Sequence, residues 1–385
     1  MHILKLIFKN LLRHKLRSLL TMLGIAFAVL VFGFMRTVIS SWNAGVQASQ
    51  ANRLVTVQSV SFIYPLPLSY LSKIQAVPGV REVSYANWFS GVYIDRDQFF
   101  ARIAVEPETF FDVYPEFLIT KEERDAFVRQ RNACVIGAKT ANRYHLKVGD
   151  LMTIEGDIYP GTWQMQVVGI YHGKDETVDE TAMWFNWHYL DEQLKQTTPG
   201  RAGYVGWYIE DIADPNQRAS ISAAIDNLFA NSSAETKTQT EKEFNQSFVS
   251  MSGAILTAIN VVSFVIIAII LLILANTMLM AARERTREYA VLKTLGFSSG
   301  HLVGLIFGEA MMISGIGGVI GLALTFPLCS AVQKVFEQFF SVFNVEAITI
   351  ILAISAALLA GIVSSAFPIQ RAINTKIVDG LRQVG

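Results

Sequence analysis

Four long apolar segments constrain the fold of this chain more than any other feature. They lie at 19–39, 251–282, 301–330 and 347–367. Each is long enough for a helix that crosses a bilayer, which needs about 20 apolar residues. The composition agrees, since 52% of the 385 residues are hydrophobic and only 17% are charged. The sequence therefore predicts an α-helical membrane protein with four transmembrane helices.

The polar region between the first and second segments is long enough to form a domain of its own. It alternates strand-like runs, such as RLVTVQSV (53–60) and TWQMQVVGIY (162–171), with helix-like runs, such as KEERDAFVRQ (121–130) and NQRASISAAIDNLFA (216–230). This alternation predicts a large α+β domain inserted between helices 1 and 2. The polar run NSSAETKTQTEKE (231–243) is predicted to be the linker that leaves this domain.

The sequence after this linker predicts a helical stalk. Phe244, Phe248, Met251 and Ile255 recur at spacings of three and four, which forms an apolar stripe on one side of a helix. The natural neighbour for this stripe is the outward continuation of helix 1. A tilted membrane helix with interfacial residues is the alternative interpretation.

Positive charges are distributed unevenly around the four segments. Lysines and arginines precede the first segment and follow the second and fourth, whereas the connection between the third and fourth carries only Lys334. This bias predicts that both termini lie in the cytoplasm. The predicted order is a cytoplasmic amphipathic helix (1–18), helix 1 (19–39), the extracytoplasmic domain and stalk (40–250), helix 2 (251–282), a cytoplasmic loop (283–300), helix 3 (301–330), a short extracytoplasmic loop (331–346), helix 4 (347–367) and a cytoplasmic tail (368–385).

The first segment has a second interpretation, because a basic region followed by an apolar run also resembles a cleaved signal peptide. We favour a membrane anchor. The apolar run is long for a signal peptide, and Arg36 lies where its side chain could extend to the outer membrane face.

Residues that could carry catalysis or bind a cofactor form no recognisable pattern. The phosphate-binding motif G-x-x-x-x-G-K-[ST] is absent, and the histidines lack the spacing of a zinc site. His172 lies near several carboxylates at 175–180 that could hold a divalent cation, but we interpret them as a solvated acidic loop, because carboxylates in a polar loop need no ligand to explain them. The net charge of zero gives no argument for nucleic-acid binding. We therefore expect a non-catalytic chain that binds no cofactor or metal itself.

Small and polar residues inside the predicted membrane helices suggest helix contacts. Asn276 in helix 2 and Glu309 in helix 3 are intramembrane polar candidates, since such groups are costly in a bilayer. Glu309 lies about two turns from the cytoplasmic end, so we interpret it as a helix contact rather than a proton relay. Small residues let helix backbones approach closely. Pairs of glycines spaced by four occur twice in helix 3, at Gly304 and Gly308 and at Gly317 and Gly321.

The segment RERTREYAVLKTLGFSSG (283–300) is unusually charged for a connection between two membrane helices. Its good helix formers predict a helix over 281–295, which Gly296 is placed to end. Ser298 or Ser299 is placed to begin the next helix. The residues alone leave open whether this segment is a passive loop or a docking surface for a cytoplasmic partner.

A resemblance to a known family favours the docking surface. AARERTREYAVLKTLGFSSGHLVGLIFGEA resembles the hallmark segment of MacB/FtsX-type ABC transporter permeases, in which ER-x-x-E-x-x-x-L-(R/K)-x-x-G links the second and third spans. LSKIQAVPGVREVSY and ACVIGAKTANRYHLKVGDLMTIEG are similar to the MacB periplasmic core. The order of one span, a large domain and three spans is also that of the family. The tail INTKIVDGLRQVG lacks the proline that usually precedes the final LR, and we expect no fused nucleotide-binding domain of the kind that MacB carries, because the sequence contains no phosphate-binding motif.

The resemblance implies a permease that couples ATP hydrolysis by a separate ATPase subunit to movement of the extracytoplasmic domain, which is called mechanotransmission. That ATPase would bind ATP and Mg. The other implied partners are a second permease copy or paralogue, membrane lipids and, in some systems, a periplasmic adaptor, all at the bacterial inner membrane. The residues implied to lie in or beside the ATPase-coupling helix are Glu284, Arg285, Glu288, Leu292, Lys293 and Gly296.

Two functions remain open within this family. The first is export or extraction of a hydrophobic, peptide-like or lipoprotein substrate. The alternative is an FtsX-like mechanical regulator, which switches an extracytoplasmic cell-wall enzyme without moving a substrate. The large inserted domain favours the first function, because FtsX-type regulators generally carry a smaller one.

Overall fold

The computed structural model describes residues 15–43, 46, 49–96, 99–175, 177–336 and 343–374. The chain forms two compact units. The membrane unit comprises residues up to Ser41 and from Gly253 onward, and the inserted domain comprises Trp42–Ser252. These units confirm the predicted fold class, an α-helical membrane protein with an α+β domain inserted after its first membrane helix. The first fourteen residues of the predicted amphipathic helix, and the tail from residue 375, lie outside the described residues.

We number the elements in chain order. The helices are α1 (Lys15–Trp42), α2 (Leu71–Gln75), α3 (Phe110–Val113), α4 (Lys121–Arg129), α5 (Ala138–Tyr144), α6 (Trp187–Thr197), α7 (Arg218–Phe229), α8 (Glu241–Met251), α9 (Gly253–Glu284), α10 (Thr286–Thr294), α11 (Ser299–Phe336) and α12 (Ala347–Asn374). The strands are β1 (Arg53–Gln58), β2 (Leu66–Pro67), β3 (Val80–Trp88), β4 (Gly91–Val92), β5 (Arg102–Val105), β6 (Phe117–Leu118), β7 (Ala133–Gly137), β8 (Leu151–Gly156), β9 (Gly161–Gly173), β10 (Met183–Asn186), β11 (Tyr204–Val205), β12 (Trp207–Ile212) and β13 (Thr236–Thr240).

A sheet of eleven strands organises the inserted domain. Its order is β13-β1-β12-β3-β5-β10-β7-β9-β8-β4, with β6 beside β9. The pairs β5/β10 and β7/β9 are parallel, whereas β1 is antiparallel to both β12 and β13. The first strand after α1 and the last strand before α8 are therefore neighbours, so the chain enters and leaves the domain at one edge of the sheet.

The two faces of this sheet bury separate apolar cores. On β12, Tyr208 and Ile212 belong to one core and Ile209 belongs to the other, as the two-residue period of a strand requires. Helix α7 covers the first core through Ile225, and α4 covers the second core through Phe127. Both faces are apolar because helices pack on each of them.

The predicted linker at 231–243 contains strand β13 and the start of α8, which corrects that expectation. The hydroxyl groups of Thr236 and Thr238 donate to the Asp226 carboxylate at 2.9 and 2.8 Å. Thr238 lies opposite Thr56 in β1, and their hydroxyl oxygens are 2.9 Å apart. Alternate threonines therefore bury one face of β13 through hydrogen bonds instead of apolar contacts.

The predicted stalk helix also differs in the structure. Helix α8 ends at Met251, and Ser252 separates it from α9 with φ −93° and ψ 11°. Phe244 packs against Val55 and Val57 of β1, so the start of the apolar stripe covers the sheet of the inserted domain. The stripe is therefore divided between two helices and does not form one continuous stalk.

Among the described residues, four helices of the membrane unit are long and apolar enough to cross a membrane, namely α1, α9, α11 and α12. Helix α1 packs closely on α11, because a Cβ at Gly317 would lie 2.9 Å from the Met22 carbonyl oxygen and a Cβ at Gly321 would overlap the Ala26 carbonyl oxygen. These two predicted glycines are thus placed to let backbones approach. A Cβ at Gly304 would meet no described atom within 4 Å, and Gly308 is partly buried.

Candidate functional site

The second membrane helix, α9, ends at Glu284 and is joined to α10 by Arg285. The backbone of Arg285 has φ −97° and ψ 11°, although its N–H still donates to the Ala281 carbonyl oxygen at 3.1 Å. The Thr286 hydroxyl donates to backbone carbonyl groups of the preceding turn, and such bonds bend helices. The predicted helix over 281–295 is therefore two helices with a break at Arg285.

Helix α10 ends at the glycine that the sequence indicates. Gly296 has φ +89°, a conformation that costs a side chain about 1–2 kcal/mol. Its N–H donates to the Lys293 carbonyl oxygen at 3.2 Å, and the Phe297 N–H donates to the Leu292 carbonyl oxygen at 3.1 Å. This pair of bonds is a Schellman motif, which satisfies the last carbonyl groups of the helix and turns the chain sharply.

A buried ion pair joins the break in the helix to the third membrane helix. Arg285 Nη1 lies 2.6 Å from Glu309 Oε2, and the two side chains are only 5% and 7% exposed. Arg285, which was predicted from the coupling motif, thus pairs with Glu309, which was predicted as an intramembrane polar residue. Because two charges removed from water need each other, this contact fixes the position of the break relative to α11.

Two further motif residues connect this segment to the remaining helices. The Glu284 carboxylate accepts hydrogen bonds from Nη1 and Nη2 of Arg17 in α1, at 2.7 and 2.6 Å. Lys293 Nζ donates to the carbonyl oxygens of Ala372 and Ile373, at 3.1 and 2.9 Å, in the last turn of α12. A lysine suits that position because the last carbonyl groups of a helix lack partners within it. The segment is thus bound by polar contacts to α1, α11 and α12.

Apolar packing adds to these polar contacts on the inner side of α10. Tyr289 is buried against Leu302 and Ile306 of α11 and Ala372 of α12. Burial raises the pKa of Tyr289 to about 12. The motif residue Leu292 packs at the margin of the same cluster. Leu292 therefore contributes to holding α10 in place.

The outer side of α10 presents apolar side chains that are not among the predicted ATPase-coupling residues. Val291 and Leu295 are one helical turn apart, and Phe297 follows the glycine turn; we call these three residues the coupling ridge. Leu295 is 70% exposed, and the other two are also exposed. Glu288, on the preceding turn, is half-buried. The motif consists mainly of charged residues. It therefore indicates the residues that bind α10 to neighbouring helices and not the apolar residues that α10 exposes.

The intramembrane candidate Asn276 lies on a different surface. It is exposed on α9, in line with Leu272 and Met280 at spacings of four. Of the four membrane helices, α9 is the least buried within the described membrane unit. Asn276 thus belongs to a wide apolar face that this protomer leaves uncovered.

A second polar cluster, within the inserted domain, lies where the chain enters and leaves it. Arg53, the first residue of β1, donates through Nε to Glu241 Oε2 of α8 at 2.9 Å and through Nη2 to Glu116 Oε1 at 2.5 Å. Its guanidinium group stacks on Tyr114. Burial alone would lower the pKa of Arg53, but the hydrogen bond with Glu116 and the charge of Glu241 raise it above the ordinary value. No local spacing signals this cluster, because Arg53 and Glu241 are 188 residues apart.

Two family models match the chain. The MacB-like periplasmic core domain matches residues 18–228, which is more than half of the sequence, and the FtsX-like permease C-terminal model matches residues 260–377. The chain belongs to the MacB/FtsX-type ABC transporter permeases. The second match includes the Arg285–Glu309 pair and the coupling ridge. As a member of this family, the chain is a multi-pass membrane permease.

Relatives agree with this assignment. An uncharacterized ABC transporter permease of Methanocaldococcus jannaschii is 24% identical over 409 residues, which cover 97% of this chain and 96% of that protein. The pyoverdine export ATP-binding/permease protein PvdT of Pseudomonas aeruginosa is 35% identical over 106 residues, but these are only 28% of this chain and 15% of that protein. The periplasmic region of MacB from Actinobacillus actinomycetemcomitans superposes on 53% of this chain and 95% of that structure, with a TM-score of 0.38 and 11% identity.

Proposed function

We propose that this chain is a non-catalytic permease subunit that couples ATP hydrolysis on a separate ATPase subunit to conformational change in the inserted domain. ATP and Mg would be bound by that ATPase. The movement would export or extract a hydrophobic, peptide-like or lipoprotein substrate. The observation that carries this proposal is that α10 displays an apolar ridge, while α10 and the two residues that precede it are bound to three membrane helices.

This construction suits the transmission of force. A passive loop between two membrane helices needs no buried ion pair, no lysine on a neighbouring helix end and no capped helix. If an ATPase binds the coupling ridge and moves, the contacts of Glu284, Arg285 and Lys293 would carry the displacement to α1, α11 and α12. A flexible loop would absorb the same displacement.

The Arg53 cluster supports a similar role inside the inserted domain. It joins β1 to α8. β1 is the first strand after α1, and α8 is the helix that precedes α9. Because Arg53 and Glu241 are both buried, separating them would leave the Glu241 carboxylate buried without its guanidinium partner. The domain would therefore respond to movement of its two connections as one body.

The permease is proposed to work as a dimer that pairs through α9. The face that includes Leu272, Asn276 and Met280 is exposed, and an asparagine on such a face can hydrogen-bond across a helix pair. Oxidation of membranes that contain Leu272→Cys should cross-link two copies. Leu324→Cys, on an exposed position of α11, is the matched control and should not cross-link. Equal cross-linking at both positions would reject this face.

The proposed orientation places α10 in the cytoplasm and the inserted domain outside a bacterial inner membrane. Ile63 is exposed on the inserted domain, and Thr294 is exposed on α10. A membrane-impermeant maleimide should label Ile63→Cys in intact cells and Thr294→Cys only after lysis. The reverse pattern would invert the topology.

Affinity purification in mild detergent tests the proposed function directly. The wild-type chain should retain an ATPase subunit in roughly equal amount, as two permeases on two ATPases require, and Leu295→Asp should lose it. Val148→Asp places the same change at an exposed apolar position of the inserted domain and should retain the ATPase. Undiminished ATPase on Leu295→Asp would reject the coupling ridge, and a cell-wall enzyme that purifies with the ATPase would favour the mechanical regulator.

A further inference from the structure

An apolar cleft runs between α1, α9 and α12 in the membrane unit. It encloses about 440 Å³ and is lined by side chains of all three helices. Phe264 on one wall is 72% exposed, and Leu359 and Val363 on the opposite wall are also exposed. The cleft therefore opens sideways, toward the space that membrane lipids occupy around such a bundle.

One cation lies in this apolar cleft. Within the part of the chain that the structure describes, Arg36 is the one ionisable residue that lines the cleft, and its Nε atom is buried there without a hydrogen-bond partner. Neither Asn260 nor Ser263 accepts a hydrogen bond from this Nε atom, and their own side chains donate to the carbonyl oxygens of Leu256 and Ile259 on α9. No carboxylate of the described residues forms an ion pair with Arg36, and a guanidinium group among apolar side chains is costly unless something else supplies the anion.

The cleft is polar at one end and apolar along the rest. Arg36 and Asn260 lie toward the end opposite the coupling segment, whereas Ile267 and Leu271 lie deeper along α9. From Asn260 to Leu271 the helix rises about 16 Å, at 1.5 Å per residue. The cleft thus offers a charged end and a long apolar channel, which is the distribution of groups in an anionic amphiphile.

We propose that this cleft binds a phospholipid with an anionic headgroup, taken from the surrounding bilayer. The headgroup phosphate would accept hydrogen bonds from the Arg36 guanidinium, whose planar set of N–H donors matches the geometry of phosphate oxygens. One acyl chain would lie along Ile267, Leu271 and the α12 residues that face them. This binding site does not depend on the proposed coupling to an ATPase, so either can fail without the other.

Native mass spectrometry of the purified full chain tests the site, with dioleoyl phosphatidylglycerol and dioleoyl phosphatidylcholine as probes. Wild-type protein should bind the anionic lipid more tightly than the zwitterionic lipid. Arg36→Gln should weaken phosphatidylglycerol binding by about fivefold or more, because one cation near a headgroup contributes on that scale. Arg36→Lys should retain part of the preference. Arg283→Gln, an exposed arginine at the other end of α9, is the matched control and should change nothing.

A second variant separates the apolar channel from the charge. Ala356 lines the cleft on α12, and Ala356→Phe should fill it and weaken both lipids while Arg36 is intact. Elution as a single peak on size exclusion shows that each variant is folded. An unchanged lipid preference in Arg36→Gln would overturn the proposal. Lipid binding by monomers that disappears in dimers would also overturn it, since a second copy of the chain would then occupy the cleft.

Discussion

Arg285 and Glu309 form a buried ion pair, 2.6 Å long, that joins the end of the second membrane helix to the third. The pair lies directly beneath α10, whose outer side carries the coupling ridge. Its position therefore connects two features that the sequence presents separately, a charged loop motif and an acidic residue inside a membrane helix.

Breaking one side of the pair should destabilise the membrane unit more than removing both charges. Glu309→Leu removes the carboxylate that pairs with the buried Arg285 guanidinium, and breaking a buried ion pair from one side costs about 3–5 kcal/mol. The double variant Arg285→Met with Glu309→Leu should recover most of that loss. Each protein is heated in detergent, and the remaining monodisperse fraction is measured by size exclusion. This fraction ranks the thermal stability of the wild type, the single variant and the double variant. A double variant no more stable than Glu309→Leu would show that the pair contributes little beyond its separate residues.

The turn at Gly296 should tolerate only residues that accept a positive φ. Gly296→Asn should keep most of the ATPase stimulation, because asparagine visits the left-handed region with little penalty. Gly296→Val should reduce it strongly, since a β-branched residue at φ +89° would displace Phe297 and the end of α10. ATP hydrolysis by the reconstituted permease and ATPase provides the comparison. Equal activity of the two variants would mean that the turn does not position the coupling ridge.

Some features of this protein were accessible from its sequence because they are local. The four membrane helices follow from apolar length, and the stop at Gly296 follows from one residue that can adopt positive φ. Contacts between residues distant in the chain could not be predicted, since no residue near Arg285 in the sequence indicates that its ion-pair partner is Glu309. The Thr236–Thr240 strand was also missed, because its buried face is made of threonines that hydrogen-bond to Asp226. A search for alternating apolar residues does not detect a buried face of this kind.

Glycines in the third membrane helix should differ sharply in their response to a methyl group. Gly321→Ala would drive its Cβ into the Ala26 carbonyl oxygen of α1, whereas Gly304→Ala would meet open space. We expect Gly321→Ala to destabilise the membrane unit by about 1–3 kcal/mol, as overpacking does. Gly304→Ala should be neutral or slightly stabilising, because alanine favours a helix. Heating followed by size exclusion distinguishes them, and equal sensitivity would contradict the close packing of α1 on α11.

A buried carboxyl group in the inserted domain should make its stability depend on pH. Glu210, in β12, is fully buried, and neither carboxylate oxygen has a hydrogen-bond partner among the described residues. Burial raises its pKa from 4.5 to about 8. The Thr56 hydroxyl is close enough to oppose this rise, but its hydrogen bond in the structure is with Thr238. The folded domain therefore holds Glu210 protonated at neutral pH.

The free energy of unfolding should consequently fall as the pH rises from 4.5 to about 8, the interval between the ordinary pKa and the folded pKa. In that window the unfolded chain releases a proton that the folded domain keeps, so the slope is at most about 1.4 kcal/mol per pH unit. Glu210→Gln should flatten this slope and stabilise the domain at pH near 8, whereas exposed Glu122→Gln should leave it unchanged. Urea unfolding followed by tryptophan fluorescence reports on the inserted domain alone, because the six tryptophans all lie between Trp42 and Trp207. An identical pH dependence in wild type and Glu210→Gln would show that Glu210 is ionised in the folded protein.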